Sequence, residues 1–138
     1  MKNTILLFIF SVLLLSSCGV NRARNNVKVG KWVTIDTLNS DVYKNIEYYK
    51  KGQPVRKWRN YKNETLVKSE KYKGNTSTIK FYNEAKKVIA TGKSKLDETN
   101  EFAHWYYDGD WFYYDDSGKL IQTKSYYNGV MMYQNKKE

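Results

Sequence analysis

The side chains able to do chemistry are few, and most gather near one tryptophan. Asp108, Asp110, Asp115 and Asp116 stand on either side of Trp111. Carboxylates in pairs can protonate and attack a glycosidic bond, or hold a calcium ion. Their setting points elsewhere. Asp115 and Asp116 open an Asp-Asp-Ser-Gly run, where Asp initiates a turn, and Asp108-Gly109-Asp110 reads as a second turn. Neither has the spacing of a calcium-binding loop, which closes on a Glu. His104 is the single histidine and Cys18 the single cysteine, so neither a His/Cys metal cluster nor an internal disulfide is available. Serines and threonines are scattered without a nucleophile elbow, and there is no glycine-rich phosphate loop. The chain is therefore expected not to be an enzyme and to need no cofactor. A glycan hydrolase built on the Asp cluster is the alternative.

The one reactive thiol has a more telling context. Residues 1–20 read MKNTILLFIFSVLLLSSCGV: a positive start at Lys2, an apolar run from Ile5 to Leu15 broken by Ser11, then small residues and Cys18. That is the three-part layout of a secretory signal. An apolar run of about 11 residues makes roughly 16 Å of helix, against the ~30 Å of a bilayer's hydrocarbon core, so it is too short to span comfortably. Leu15-Ser16-Ser17-Cys18 resembles the bacterial lipobox. The resemblance implies cleavage between Ser17 and Cys18 and transfer of diacylglycerol to the Cys18 thiol, with palmitate or a similar acyl chain to follow. Two or three acyl chains anchor a protein stably where one would not. In such lipoproteins an Asp after the cysteine favours the inner membrane; Gly19 does not, which implies the outer membrane. Residues 1–17 are thus expected to be a helical signal peptide, and 18–29 a lipidated, polar tether.

Basic and aromatic residues interleave further on. Lys50-Lys51, Arg56-Lys57-Trp58-Arg59 and the stretch from Lys68 to Lys73 alternate cations with Trp58, Tyr61 and Tyr72. The formal charge is +10 and aromatics make up 16% of the chain, with 13 Tyr. Such a mixture suits single-stranded nucleic acid or an anionic envelope surface. For an exported chain nucleic acid is not the expected partner; an envelope protein or an anionic glycan is. The plainer reading is that scattered lysines keep a strand-rich surface soluble and blunt its edges. Trp58, Arg59, Tyr61, Tyr72, Trp111, Tyr113 and Tyr114 form the candidate binding surface.

The elements that must carry these residues are strands. Trp111-Phe112-Tyr113-Tyr114 and Lys119-Leu120-Ile121 flank Asp-Asp-Ser-Gly as a hairpin, and Asn128-Gly129 marks the next turn. Related units start at residues 32, 58 and 79: an aromatic strand, a polar turn, a second strand ending in Tyr or Thr, then Gly. Ala85 stands where a turn glycine is expected, Glu84–Ala90 reads as strand, and residues 93–104 read as an insertion. Gly30-Lys31-Trp32 and Trp111-Phe112-Tyr113-Tyr114 with Gly118-Lys119-Leu120 resemble the variant MORN repeats of bacterial YwqK-type antitoxin-like proteins, with Asp110 standing where Gly usually precedes the Trp. The resemblance covers residues 30–133 and implies consecutive β-hairpins in one elongated antiparallel sheet over 30–138. It also suggests, as a further alternative, an antitoxin or immunity-like role. Strand alternation places Trp111 and Tyr113 on one face and Phe112 and Tyr114 on the other. The expected function is a non-catalytic, lipid-anchored binding module of the cell envelope.

Overall fold

The computed structural model of the protein describes residues 19–98 and 104–137. The expected signal helix, Ser17 and Cys18 lie outside the described residues. The rest is all-β. Eleven strands follow one another: β1 (Arg22–Arg24), β2 (Val27–Leu38), β3 (Asp41–Lys50), β4 (Gln53–Pro54), β5 (Arg56–Lys62), β6 (Thr65–Lys73), β7 (Thr76–Tyr82), β8 (Val88–Asp97), β9 (His104–Tyr114), β10 (Leu120–Tyr127) and β11 (Val130–Lys136). They form one antiparallel sheet in chain order, with the two-residue β4 pairing off the path beside the end of β3. Every strand's principal contacts are with the strands beside it.

Local chemistry accounts for this order. Asn25-Asn26, Asn39-Ser40, Lys51-Gly52, Asn63-Glu64 and Asn128-Gly129 each hold two consecutive residues at positive φ. That is the signature of the two-residue hairpin turn whose twist matches the strands it joins, and Asn and Gly tolerate it best. The Asp115–Gly118 loop is fastened instead by one carboxylate, which accepts hydrogen bonds from the Ser117 amide and hydroxyl and from the Lys119 amide. At the turn before β8 it is Lys86, not Ala85, that enters the left-handed region, at φ 61°. The strand expected over 84–90 begins at Val88.

Two expectations are corrected. Residues 18–29 do not read as a tether along their whole length: β1 and the start of β2 lie within them, paired through Arg22↔Val29, Ala23↔Lys28 and Arg24↔Val27. Asp108-Gly109-Asp110 is not a turn but a bulge inside β9, where the register to β8 slips between Thr91 and Lys93. Gly109 is the cause, at φ 70°. Two residues before Trp32 stands Gly30 at φ 75°, and two before Trp58 stands Arg56 at φ 63°. The glycine of the repeat therefore is present before Trp111. It sits at 109, and Asp110 is the variable residue between.

The repeat also shows in three side-chain bonds. Trp58 Nε1 donates to the Tyr48 carbonyl at 3.0 Å, and Trp111 Nε1 to the Lys93 carbonyl at 3.1 Å. Each carbonyl belongs to the return strand of the preceding unit. Trp32 does the same toward β1, donating to the Arg22 carbonyl at 3.1 Å. Each indole thus satisfies its one donor while stitching its hairpin to the one before. The unit starting at Ile79 has no indole, and its cross-strand partner is Gly92.

That substitution locates the core. Ile79, Ala90, Leu96 and Trp111 are the buried apolar residues, with Ser77 and Ser94 buried beside them and bonded to each other at 2.7 Å. Alternation along β7 and β8 is strict: Ser77, Ile79, Ala90, Gly92, Ser94 and Leu96 face inward, while Thr76, Thr78, Lys80, Lys93 and Lys95 are exposed. The small residues leave room for the neighbours' rings. Trp111 lies over Gly92 and is 1% exposed.

Candidate functional site

The face that carries this core also carries most of the aromatic side chains. Cross-strand pairing sets Trp32 opposite Glu47 and Trp58 opposite Glu70, with Tyr49 and Tyr72 two residues further along each return strand. The rings meet in a row: Trp32 to Tyr49 at 6.3 Å, Tyr49 to Trp58 at 4.9 Å, Trp58 to Tyr72 at 4.8 Å and Tyr72 to Trp105 at 5.2 Å. All are tilted or edge-on, the arrangements that ring quadrupoles favour. All five rings are half-buried. A second cluster gathers on Trp111, with Tyr107 at 4.0 Å, Phe81 at 6.3 Å and Tyr126 at 6.4 Å.

The row contains acids, and each is already engaged. Glu47 accepts a hydrogen bond from the Tyr49 hydroxyl at 2.8 Å, and Lys28 reaches Glu47 at 3.9 Å. The Lys28 ammonium also stands 4.7 Å from the centroid of Trp32 and 4.8 Å from that of Tyr49, a cation held over two ring faces. Glu70 accepts from the Tyr72 hydroxyl and pairs with Lys68. Burial, and then the bonded glutamate, raises both tyrosines above their ordinary pKa, because a tyrosinate there would be poorly solvated and would face a carboxylate. Tyr113 is pushed up to about 12 by burial and by its hydrogen bond with Tyr126.

The structure divides the sequence-predicted surface. Trp58 and Tyr72 touch within the row. Trp111 is on the same face but too buried to meet a ligand, so its role is in the core. Tyr113 lies beneath the Lys124 ammonium, at 5.1 Å. Arg59 and Tyr61 alternate with Trp58 along β5 and fall on the opposite face. Tyr61 there lines a shallow groove of about 460 Å³ with Ile35, Val42 and Ile46. Tyr114 pairs with Leu120 where β9 and β10 meet the Asp115–Gly118 loop, away from the row. Sequence reasoning missed Trp32, Tyr49 and Trp105 as members. The signal was present in the recurring Glu-x-Tyr of Glu47-Tyr48-Tyr49 and Glu70-Lys71-Tyr72.

The Asp cluster is dispersed. Asp110 accepts a hydrogen bond from Ser125, Asp115 serves its own loop, and Asp116 accepts from Asn83 Nδ2 at 2.9 Å. Asp108 stands opposite Lys93 in the ladder. Hydrogen bonds from Ser117 and from the Ser117–Lys119 backbone hold the Asp115 carboxyl below the usual carboxylate range. Among the described residues, no three His, Cys, Asp or Glu side chains come together in a way that could hold a metal ion, and no helix is long and apolar enough to cross a membrane.

Comparison of the chain with protein-family profiles, with curated proteins and with solved structures finds no match.

Proposed function

We propose that this chain is an exported lipoprotein, held to a membrane by acyl chains on Cys18, and that it binds an extended envelope partner, protein or glycan, without catalysis. The observation that carries the binding reading is the five-ring row from Trp32 to Trp105. It lies on one face of a single sheet, with no second layer packed on it among the described residues. Four contacts of about 5 Å make a platform on the order of 20 Å long, enough for several units of a polymer. Its glutamates are bonded to tyrosines and lysines, which suits a surface that holds a partner rather than one that moves protons. The lipobox residues Leu15 to Cys18 support the address.

Two measurements test the two halves. Radiolabelled palmitate should enter the wild type and be absent from Cys18→Ala; equal labelling refutes the anchor. Full-length protein in detergent should be retained on intact peptidoglycan sacculi or by an outer-membrane protein fraction. Retention should fall in Trp32→Ala/Trp58→Ala. Equal retention of both proteins, or none by the wild type, refutes the aromatic platform.

A further inference from the structure

The interleaving of bases and aromatics in the sequence is undone by the sheet. Because neighbours along a strand point to opposite faces, Trp58 and Tyr72 go to one side while Lys57, Lys71 and Lys73 go to the other. Lys80, Lys93 and Lys95 join them from β7 and β8. All six lysines are exposed, on four consecutive strands.

Register fixes their lattice. Lys57 stands directly opposite Lys71, Lys71 opposite Thr78, and Thr78 opposite Lys93. Thr76 sits between Lys73 and Lys95 in the same way, and Lys80 between Ser69 and Thr91. Spacings are about 7 Å along a strand and about 4.8 Å between strands. Like charges set directly opposite destabilise a sheet. None of the six is in a salt bridge among the described residues. The flanking acids are Asp108 and Asp97, at the patch border.

We infer that this lysine–threonine face is a second binding surface, separate from the aromatic row, and that its ligand is a linear anionic polysaccharide bearing carboxylate or sulfate groups. The six lysines stand exposed on an open sheet face and enclose nothing, so affinity must come from many weak charge contacts, as a polyanion provides. The positions between the lysines are threonines: Thr76 and Thr91 already donate to the Lys73 and Ile79 carbonyls, so their hydroxyls accept from sugar hydroxyls, while Thr78 can donate as well. Binding in a membrane interface draws on apolar side chains that enter the lipid; on this face Ile35, Val42 and Ile46 lie on β2 and β3, outside the four strands that carry the lysines. Nucleic-acid single strands need rings to stack on; Trp58 and Tyr72 are on the other side, and the rings of this face, Tyr61, Tyr106 and Phe112, stand at the border of the lattice rather than between its lysines.

The test uses full-length protein with polygalacturonate and heparin as probes, neutral dextran as a blank, and phosphatidylglycerol vesicles and a single-stranded oligonucleotide as competing ligand classes. The variant is Lys71→Gln/Lys80→Gln/Lys93→Gln/Lys95→Gln. A control of equal charge replaces Lys51, Lys86, Lys136 and Lys137 by Gln; these exposed residues lie on turns, at the end of the last strand and just after it. The wild type should bind the acidic polysaccharides with an affinity that falls with salt. The lattice variant should lose about tenfold or more at ~0.1 M salt, and its salt dependence should flatten. The control and Trp32→Ala/Trp58→Ala should bind as the wild type does. Near-ultraviolet circular dichroism checks that each variant keeps its fold. Equal losses in lattice variant and control would overturn the inference, since net charge alone would then be at work. So would tighter binding to the vesicles or the oligonucleotide than to either polysaccharide, or no polysaccharide binding.

Discussion

Replacing Gly92 by alanine adds one methyl group and should cost the sheet a large part of its core. A Cβ at position 92 would lie 2.1 Å, 2.3 Å and 2.5 Å from Cδ2, Cε2 and Cγ of Trp111. Carbon atoms rest at about 3.5–4.0 Å, so the indole would have to retreat by more than about 1 Å. It has little space to do so. Trp111 is 1% exposed, Tyr107 lies against it at 4.0 Å, and its Nε1 is tied to the Lys93 carbonyl. Gly92 is not at positive φ, so alanine suits the backbone and the cost comes from the ring alone. Overpacking costs about 1–3 kcal/mol, and loss of a buried Trp about 3–5 kcal/mol. We expect about 3 kcal/mol, or a fall in Tm of roughly 10 °C for a domain of this size. The assay is thermal and urea unfolding of wild type, Gly92→Ala, Trp111→Leu and the double variant. With the indole gone, Gly92→Ala should cost under about 0.5 kcal/mol, leaving a coupling of roughly 2–3 kcal/mol. Equal cost in both backgrounds would refute the packing argument.

Three further outcomes follow from the repeat geometry and the buried tyrosines. Trp58→Phe keeps a ring but removes the donor to the Tyr48 carbonyl, so unfolding free energy should fall by about 1 kcal/mol; no change would show that the stitch is idle. Gly109→Ala, with open space around the added methyl, should still cost about 1–2 kcal/mol from left-handed backbone alone, whereas Arg56→Gly should be neutral or stabilising; the reverse order in urea midpoints would contradict the shared left-handed position. Because burial favours the neutral hydroxyl of Tyr113, its contribution to stability is intact below the ordinary tyrosine pKa near 10 and is lost as pH rises through about 12. Ultraviolet titration should therefore show a group of tyrosines ionising late, as the fold loosens; a single ordinary step in an intact fold would exclude this.

Much of the architecture was legible because its causes are local. Hairpin turns depend on Asn, Asp and Gly at adjacent positions, so Asp115–Gly118 and Asn128-Gly129 announced themselves. Asn25-Asn26 lacks glycine and carries a weaker signal, so in sequence the first hairpin resembles a polar tether. The Asp108-Gly109-Asp110 bulge looked like a turn because both need a glycine at positive φ, and only the pairing of β8 with β9 separates them.

The chain alone determined an all-β order, one hairpin after another, because turn chemistry is a property of neighbouring residues, and it offers a lipobox-like segment from Leu15 to Cys18. Which side chains share a surface was decided by the sheet. Alternation and register gathered Trp32, Tyr49, Trp58, Tyr72 and Trp105 from distant units onto one face, buried Trp111 over Gly92, and put Lys57, Lys71 and Lys73 on the reverse side. A one-residue bulge changes which face a strand's residues reach, and bulges are settled by pairing between strands.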